Sequence, residues 1–60
     1  MKMKYRIYYQ RGNERYDATG ELEEKDVQAD CMYDALMCLP AYARVASIFE
    51  VTPNGKLNRV

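Results

Sequence analysis

The chain has 60 residues, with nine basic and nine acidic side chains, no histidine and no tryptophan. One domain spanning residues 1–60 is expected, and the surface scaling laws set apolar burial of about 90 kcal/mol against an ordering cost of about 90 kcal/mol, so added burial against a partner or a second copy is favoured. The missing histidine removes the commonest general base and metal ligand, and a formal net charge of zero weighs against a protein that holds nucleic acid by charge alone.

Met3, Tyr5, Ile7 and Tyr9 alternate with Lys4, Arg6, Tyr8 and Gln10, the two-residue period of a half-buried strand. Gly12-Asn13 follows, and a two-residue hairpin turn there pairs Tyr9 with Tyr16, Ile7 with Ala18 and Met3 with Leu22 on one apolar face. The alternate pairs are Arg11 with Glu14, Tyr8 with Asp17, Arg6 with Thr19, Lys4 with Glu21 and Lys2 with Glu23, most of them joining opposite charges. The second strand is predicted over residues 14–22, with Gly20 opposite Tyr5 as its weak point. Glu23 to Asp26 reads as a charged connection.

A helix is predicted from Cys31 to Leu39, with Gln28 as its earliest start and Asp30 or Cys31 as N-cap. Met32, Ala35, Leu36 and Leu39 form its apolar stripe, Asp34 suits the first turn, and Pro40 ends it. After a short return through Tyr42, Val45 to Thr52 reads as a third strand with Val45, Phe49 and Val51 on one face. Pro53-Asn54-Gly55 predicts a turn in which proline presets the first angle and glycine takes the left-handed position of a bulge. A last strand over residues 56–60 then places Val51 opposite Leu57 and Ile48 opposite Val60. The connections give an α+β fold, ββαββ, with a four-stranded antiparallel sheet in the order 2-1-3-4 and one helix packed on one face.

Charge is divided along the chain. Residues 1–16 carry Lys2, Lys4, Arg6, Arg11 and Arg15 against Glu14, whereas residues 17–34 carry seven acids against Lys25. Strand pairing brings these groups together and favours a self-neutralising surface over an acidic lobe at residues 21–34 that recognises a basic partner. Cys31 and Cys38 lie about 10 Å apart along the predicted helix and do not bridge. With no signal-peptide pattern and no apolar run of membrane length, a cytoplasmic protein without a membrane partner is expected. Cys31, Asp34 and Cys38 lack zinc spacing, no nucleophile has a base partner, and the glycine motifs are hairpin turns. No enzyme, no metal and no cofactor is expected.

The candidate binding site is the sheet face away from the helix, with Lys4, Arg6, Tyr8, Arg15 and Asp17 as its residues. An aromatic ring among basic side chains on an open sheet suits base stacking and phosphate contact. Six tyrosines suit an adaptable protein-binding surface. Two functions follow: a small intracellular protein that binds a protein partner and forms a homodimer, or a single-stranded nucleic-acid binder using Tyr8, Arg6 and Lys4. The segment Ala29-Asp30-Cys31-Met32-Tyr33-Asp34-Ala35-Leu36, with Phe49-Glu50-Val51-Thr52 further on, resembles the helix and following strand of the small RNA-polymerase inhibitors of T7-like phages. That resemblance implies a phage or mobile-element accessory protein. It carries over neither target nor binding residues, because Pro53-Asn54-Gly55 stands where those inhibitors continue with basic residues.

Overall fold

A computed structural model describes residues 2–15 and 17–60. Among these residues four strands and one helix follow in the order β1 (Met3–Gly12), β2 (Ala18–Ala29), α1 (Met32–Leu36), β3 (Arg44–Val51) and β4 (Leu57–Arg59). The strands form one antiparallel sheet in the order β2-β1-β3-β4, as the connectivity predicts. The most β-prone strand is central, and its alternation sets the two faces. Tyr5, Ile7 and Tyr9 are buried, Ile7 completely, and share one cluster with Ala29 and Ala35.

The β1–β2 register departs from the expectation. Met3 lies opposite Ala29, Tyr5 opposite Val27, Ile7 opposite Lys25 and Tyr9 opposite Glu23. Ile7 therefore does not pair with Ala18, nor Met3 with Leu22, nor Tyr9 with Tyr16, which itself lies outside the described residues. On the other face Arg6 meets Asp26 rather than Thr19, Tyr8 meets Glu24 rather than Asp17, and Lys4 meets Gln28 rather than Glu21. Gly20 does not face Tyr5, and Arg11 forms its ion pair with Glu23 rather than Glu14. The segment Glu23–Asp26 is strand, not connection.

The turn chemistry explains the displacement. The Asn13 side-chain oxygen accepts the N–H groups of Arg15 at 2.9 Å and Asp17 at 3.1 Å, while the Asn13 N–H donates to the Asp17 carbonyl at 3.1 Å. This asparagine-centred loop replaces the two-residue turn, and pairing resumes at Gly12 with Ala18. A further irregularity between Gln10 and Gly12 completes the shift. Glycine at position 12 serves a close approach instead: a Cβ there would run into the carbonyl oxygen of Tyr42. Tyr42 itself has φ 63°, in a turn closed by the Ala43 N–H donating to the Pro40 carbonyl at 3.2 Å. A tyrosine in the left-handed region is a strained residue.

The displacement turns β2 over, because side chains alternate with period two. Its inward set is Glu23, Lys25, Val27 and Ala29, while Leu22 is exposed. Lys25 is half-buried and donates its ammonium to the Cys38 carbonyl at 3.1 Å, so a charged side chain spans part of the apolar face with its head still satisfied.

The helix is shorter than the predicted Cys31–Leu39. Cys31 is the N-cap, Asp34 occupies the first turn, and α1 ends at Leu36. Cys38 and Leu39 close the segment with N–H donations to residues three positions back, Ala35 and Leu36, the tightened bonding common where a helix runs out. The predicted stripe holds: Ala35 is buried in the cluster, and Met32, Leu36 and Leu39 pack against it.

In β3 a bulge between the partners of Tyr8 and Tyr9 changes which side chains share a face. Val45 pairs with Tyr9, whereas Phe49 pairs with Arg6 and Val51 with Lys4. Val45 is thus not on the face of Phe49 and Val51, and Ile48, opposite Ile7, supplies the inward contact. The β3–β4 hairpin closes as predicted. Gly55 donates to the Thr52 carbonyl at 2.8 Å, Thr52 donates to the Lys56 carbonyl at 2.9 Å, and Gly55 has φ 83°. Val51 lies opposite Leu57, and the Val60 N–H donates to the Ile48 carbonyl at 3.5 Å.

Candidate functional site: the open sheet face

The face opposite the buried cluster is built in rows across the sheet, because direct cross-strand partners project to the same side. One row runs Gln28, Lys4, Val51, Leu57, and the next runs Asp26, Arg6, Phe49, Arg59. A third holds Glu24, Tyr8 and Ser47, and a fourth Leu22, Gln10 and Arg44. Its centre is aromatic: the rings of Tyr8 and Phe49 stand edge to face, 84° apart with centroids 6.0 Å apart.

The β2 side of this face is an ion-pair network. Arg6 donates from Nε to Asp26 Oδ1 at 2.9 Å and from Nη2 to Asp26 Oδ2 at 3.1 Å, the bidentate geometry that matches guanidinium to carboxylate. Glu24 lies 3.3 Å from the same Nε, and Lys4 lies 3.7 Å from Asp26. The hydrogen bonds from Arg6 hold the Asp26 carboxyl below its ordinary range, and the same bonds push the Arg6 guanidinium up. The network is solvent-facing, so it aligns side chains more than it stabilises the fold.

Of the five residues expected at the site, Lys4, Arg6 and Tyr8 lie together on this face. Arg15 and Asp17 do not join them; they lie beyond the β1–β2 strand ends, around the Asn13 loop. Glu24 occupies the place given to Asp17, and Asp26 the place given to Thr19. Phe49, Val51, Leu57 and Arg59 were missed as members. The shared parity of Phe49 and Val51 was legible; which face it selects was not, because Val45 counts with them until the bulge between the partners of Tyr8 and Tyr9 separates it.

Cys31 and Cys38 are free and exposed, and among the described residues no three ligand-type side chains gather as a metal site. A depression of about 430 Å³ lies where the ends of β1, β2 and β3 meet the Pro53 turn, lined by Met3, Lys4, Gln28, Val51 and Pro53 among others. No helix among the described residues is long and apolar enough to cross a membrane. Comparison of the chain with family models, curated proteins and solved structures gives no match.

Proposed function

We propose that this is a non-enzymatic binding protein whose open sheet face docks on protein, with the α1 segment covering the opposite face. The observation that supports the reading is the composition of that face: an aromatic pair, Tyr8 and Phe49, continued by Val51 and Leu57 and bordered on the β2 side by charges already neutralised within the chain. Such a centre suits a protein interface, where aromatic anchors sit inside a polar rim. Single-stranded nucleic acid is the weaker occupant. The Arg6 and Lys4 cations beside Tyr8 are engaged by Asp26 and Glu24, and a phosphate would have to displace those carboxylates.

A photo-crosslinking residue in place of Ser47, central on the open face, tests the reading against one in place of Met37, which is exposed on the helical segment. Protein adducts at 47 and not at 37, lost with Tyr8→Ala, are expected in the native host. Equal labelling at both positions contradicts the assignment. Titration with labelled oligonucleotides separates the alternative, because a nucleic-acid site weakens steeply as salt rises.

A further inference from the structure

The open face is charge-antisymmetric across the sheet. Its β2 column carries Glu24 and Asp26, and its β3 and β4 columns carry Arg44 and Arg59. The row Asp26, Arg6, Phe49, Arg59 shows this most plainly, with an acid at one edge, a cation at the other and an aromatic ring between them. Its two ends differ in state: Asp26 is in a network with Arg6 and Lys4, whereas no ion pair ties Arg59 to another described residue.

We infer that this face binds a second copy of the chain, face to face, about a two-fold axis parallel to the strands; the inference rests on the open-face reading above. Two sheets in contact lie about 10 Å apart with their strands nearly aligned. Rotation about an axis along the strands sets β2 over the partner copy's β4 and β1 over its β3. Asp26 then meets the second copy's Arg59, twice per dimer, and Arg6 lies over its Phe49, a cation on an aromatic face. Asp26 keeps lone pairs for this contact after accepting from Arg6. The other in-plane axis, across the strands, sets β2 over β2 and brings carboxylates together. That arrangement is repulsive.

The remaining routes to a symmetric dimer fare worse. The outer edge of β2 is long, but Glu21, Glu23, Glu24 and Asp26 against Lys25 make two such edges repel. The outer edge of β4 spans three residues, too short to hold a pair alone. The need for more burial is visible in the surface: 4484 Å² is accessible, roughly a tenth above the about 4,000 Å² expected for a compact monomer of this mass. The molecule measures 37 × 18 × 14 Å, and the rectangle of its two longer dimensions caps the footprint per copy at about 670 Å², at the small end of specific interfaces. A reversible dimer of modest affinity follows.

Sedimentation equilibrium from about 1 to about 500 μM should show wild-type mass rising from monomer to dimer. Arg59→Glu and Asp26→Lys should each weaken association by at least about tenfold, since each sets like charges together twice per dimer. Mixed in equal amounts, the two variants should form a heterodimer of near wild-type affinity, because both pairs are then restored with reversed sign in one of them. If circular dichroism shows that Asp26→Lys does not fold, Arg59→Lys against Arg59→Glu carries the test: the first should keep the dimer and the second lose it. A wild-type protein that stays monomeric, a dimer indifferent to Arg59→Glu, or folded variants whose mixture fails to associate overturns the proposal. A monomer whose residue-47 probe still captures another protein removes the dimer and leaves the open-face reading standing. A monomer whose probe captures nothing ends both.

Discussion

The two hairpins each place a glycine beside an asparagine and close alike, with the N–H of Asn13 or Thr52 donating to the carbonyl four residues on and the N–H of that later residue, Asp17 or Lys56, donating to the side-chain oxygen of Asn13 or Thr52; they differ at the centre of the turn. In the β3–β4 hairpin backbone geometry holds that centre. Pro53 presets one angle, Gly55 adopts φ 83°, and two main-chain hydrogen bonds join Thr52 to Gly55 and Lys56. In the β1–β2 hairpin a side chain holds it, with the Asn13 side-chain oxygen accepting the Arg15 N–H as well as that of Asp17. Gly12 is needed there for the approach of the Tyr42 backbone. A turn read from backbone angles is therefore secure where proline and glycine both constrain it. Where no such constraint stands at the centre of the turn and a side chain bonds it instead, loop length is free to change, and register changes with it.

That freedom explains what was legible. Strand alternation made β1, its buried face of Tyr5, Ile7 and Tyr9, and the antiparallel order readable, since periodicity is local. The Met32, Ala35, Leu36 and Leu39 stripe was readable for the same reason. The partner residues of β1 were not. Residues 21–26 carry acids at both odd and even positions, so a register that sets Lys4 opposite Glu21 and one that sets Arg6 opposite Asp26 both bring opposite charges together. The decision fell to Val27 and Ala29 meeting Tyr5 and Met3, and to Lys25 satisfying a carbonyl at the end of the helical segment. Both are tertiary events. The same blindness put Arg15 and Asp17 on the open face and left Glu24, Asp26, Phe49 and Arg59 unassigned to it.

Substitutions break the comparison at graded strength. Ile7→Ala, at the one large side chain fully buried among the described residues, should cost about 2–5 kcal/mol. For a domain this small that is expected to abolish cooperative thermal unfolding. Gly12→Ala should cost about 1–3 kcal/mol through its collision with backbone, seen as a lower denaturant midpoint. Gly55→Ala should cost about 1–2 kcal/mol, since the new side chain must sit at positive φ. Gly20→Ala, with open space around it, should change stability by less than about 0.5 kcal/mol. If Gly20 rather than Gly12 proves sensitive, the narrow turn with Gly20 against Tyr5 regains its standing.

The smallest effect concerns pH. Asp26 is held below its ordinary value of 3.8 by Arg6, so its contribution is present above that value and fades as pH falls below it through the depressed folded value. In Asp26→Asn the acid limb of the stability curve should lose this component, measured by urea midpoints from about pH 2 to about pH 6. An unchanged limb would mean that the Arg6–Asp26 pair is not formed in solution.

The register of β1 against β2 decides which side chains share the open face, and nuclear Overhauser contacts measure it directly. The structure predicts Tyr5 ring contacts with the Val27 methyls, and cross-strand backbone contacts between Arg6 and Asp26. Contacts of Tyr5 with Gly20 and of Ile7 with Ala18 would contradict it, returning β2 to the two-residue turn and removing Asp26 and Glu24 from the face.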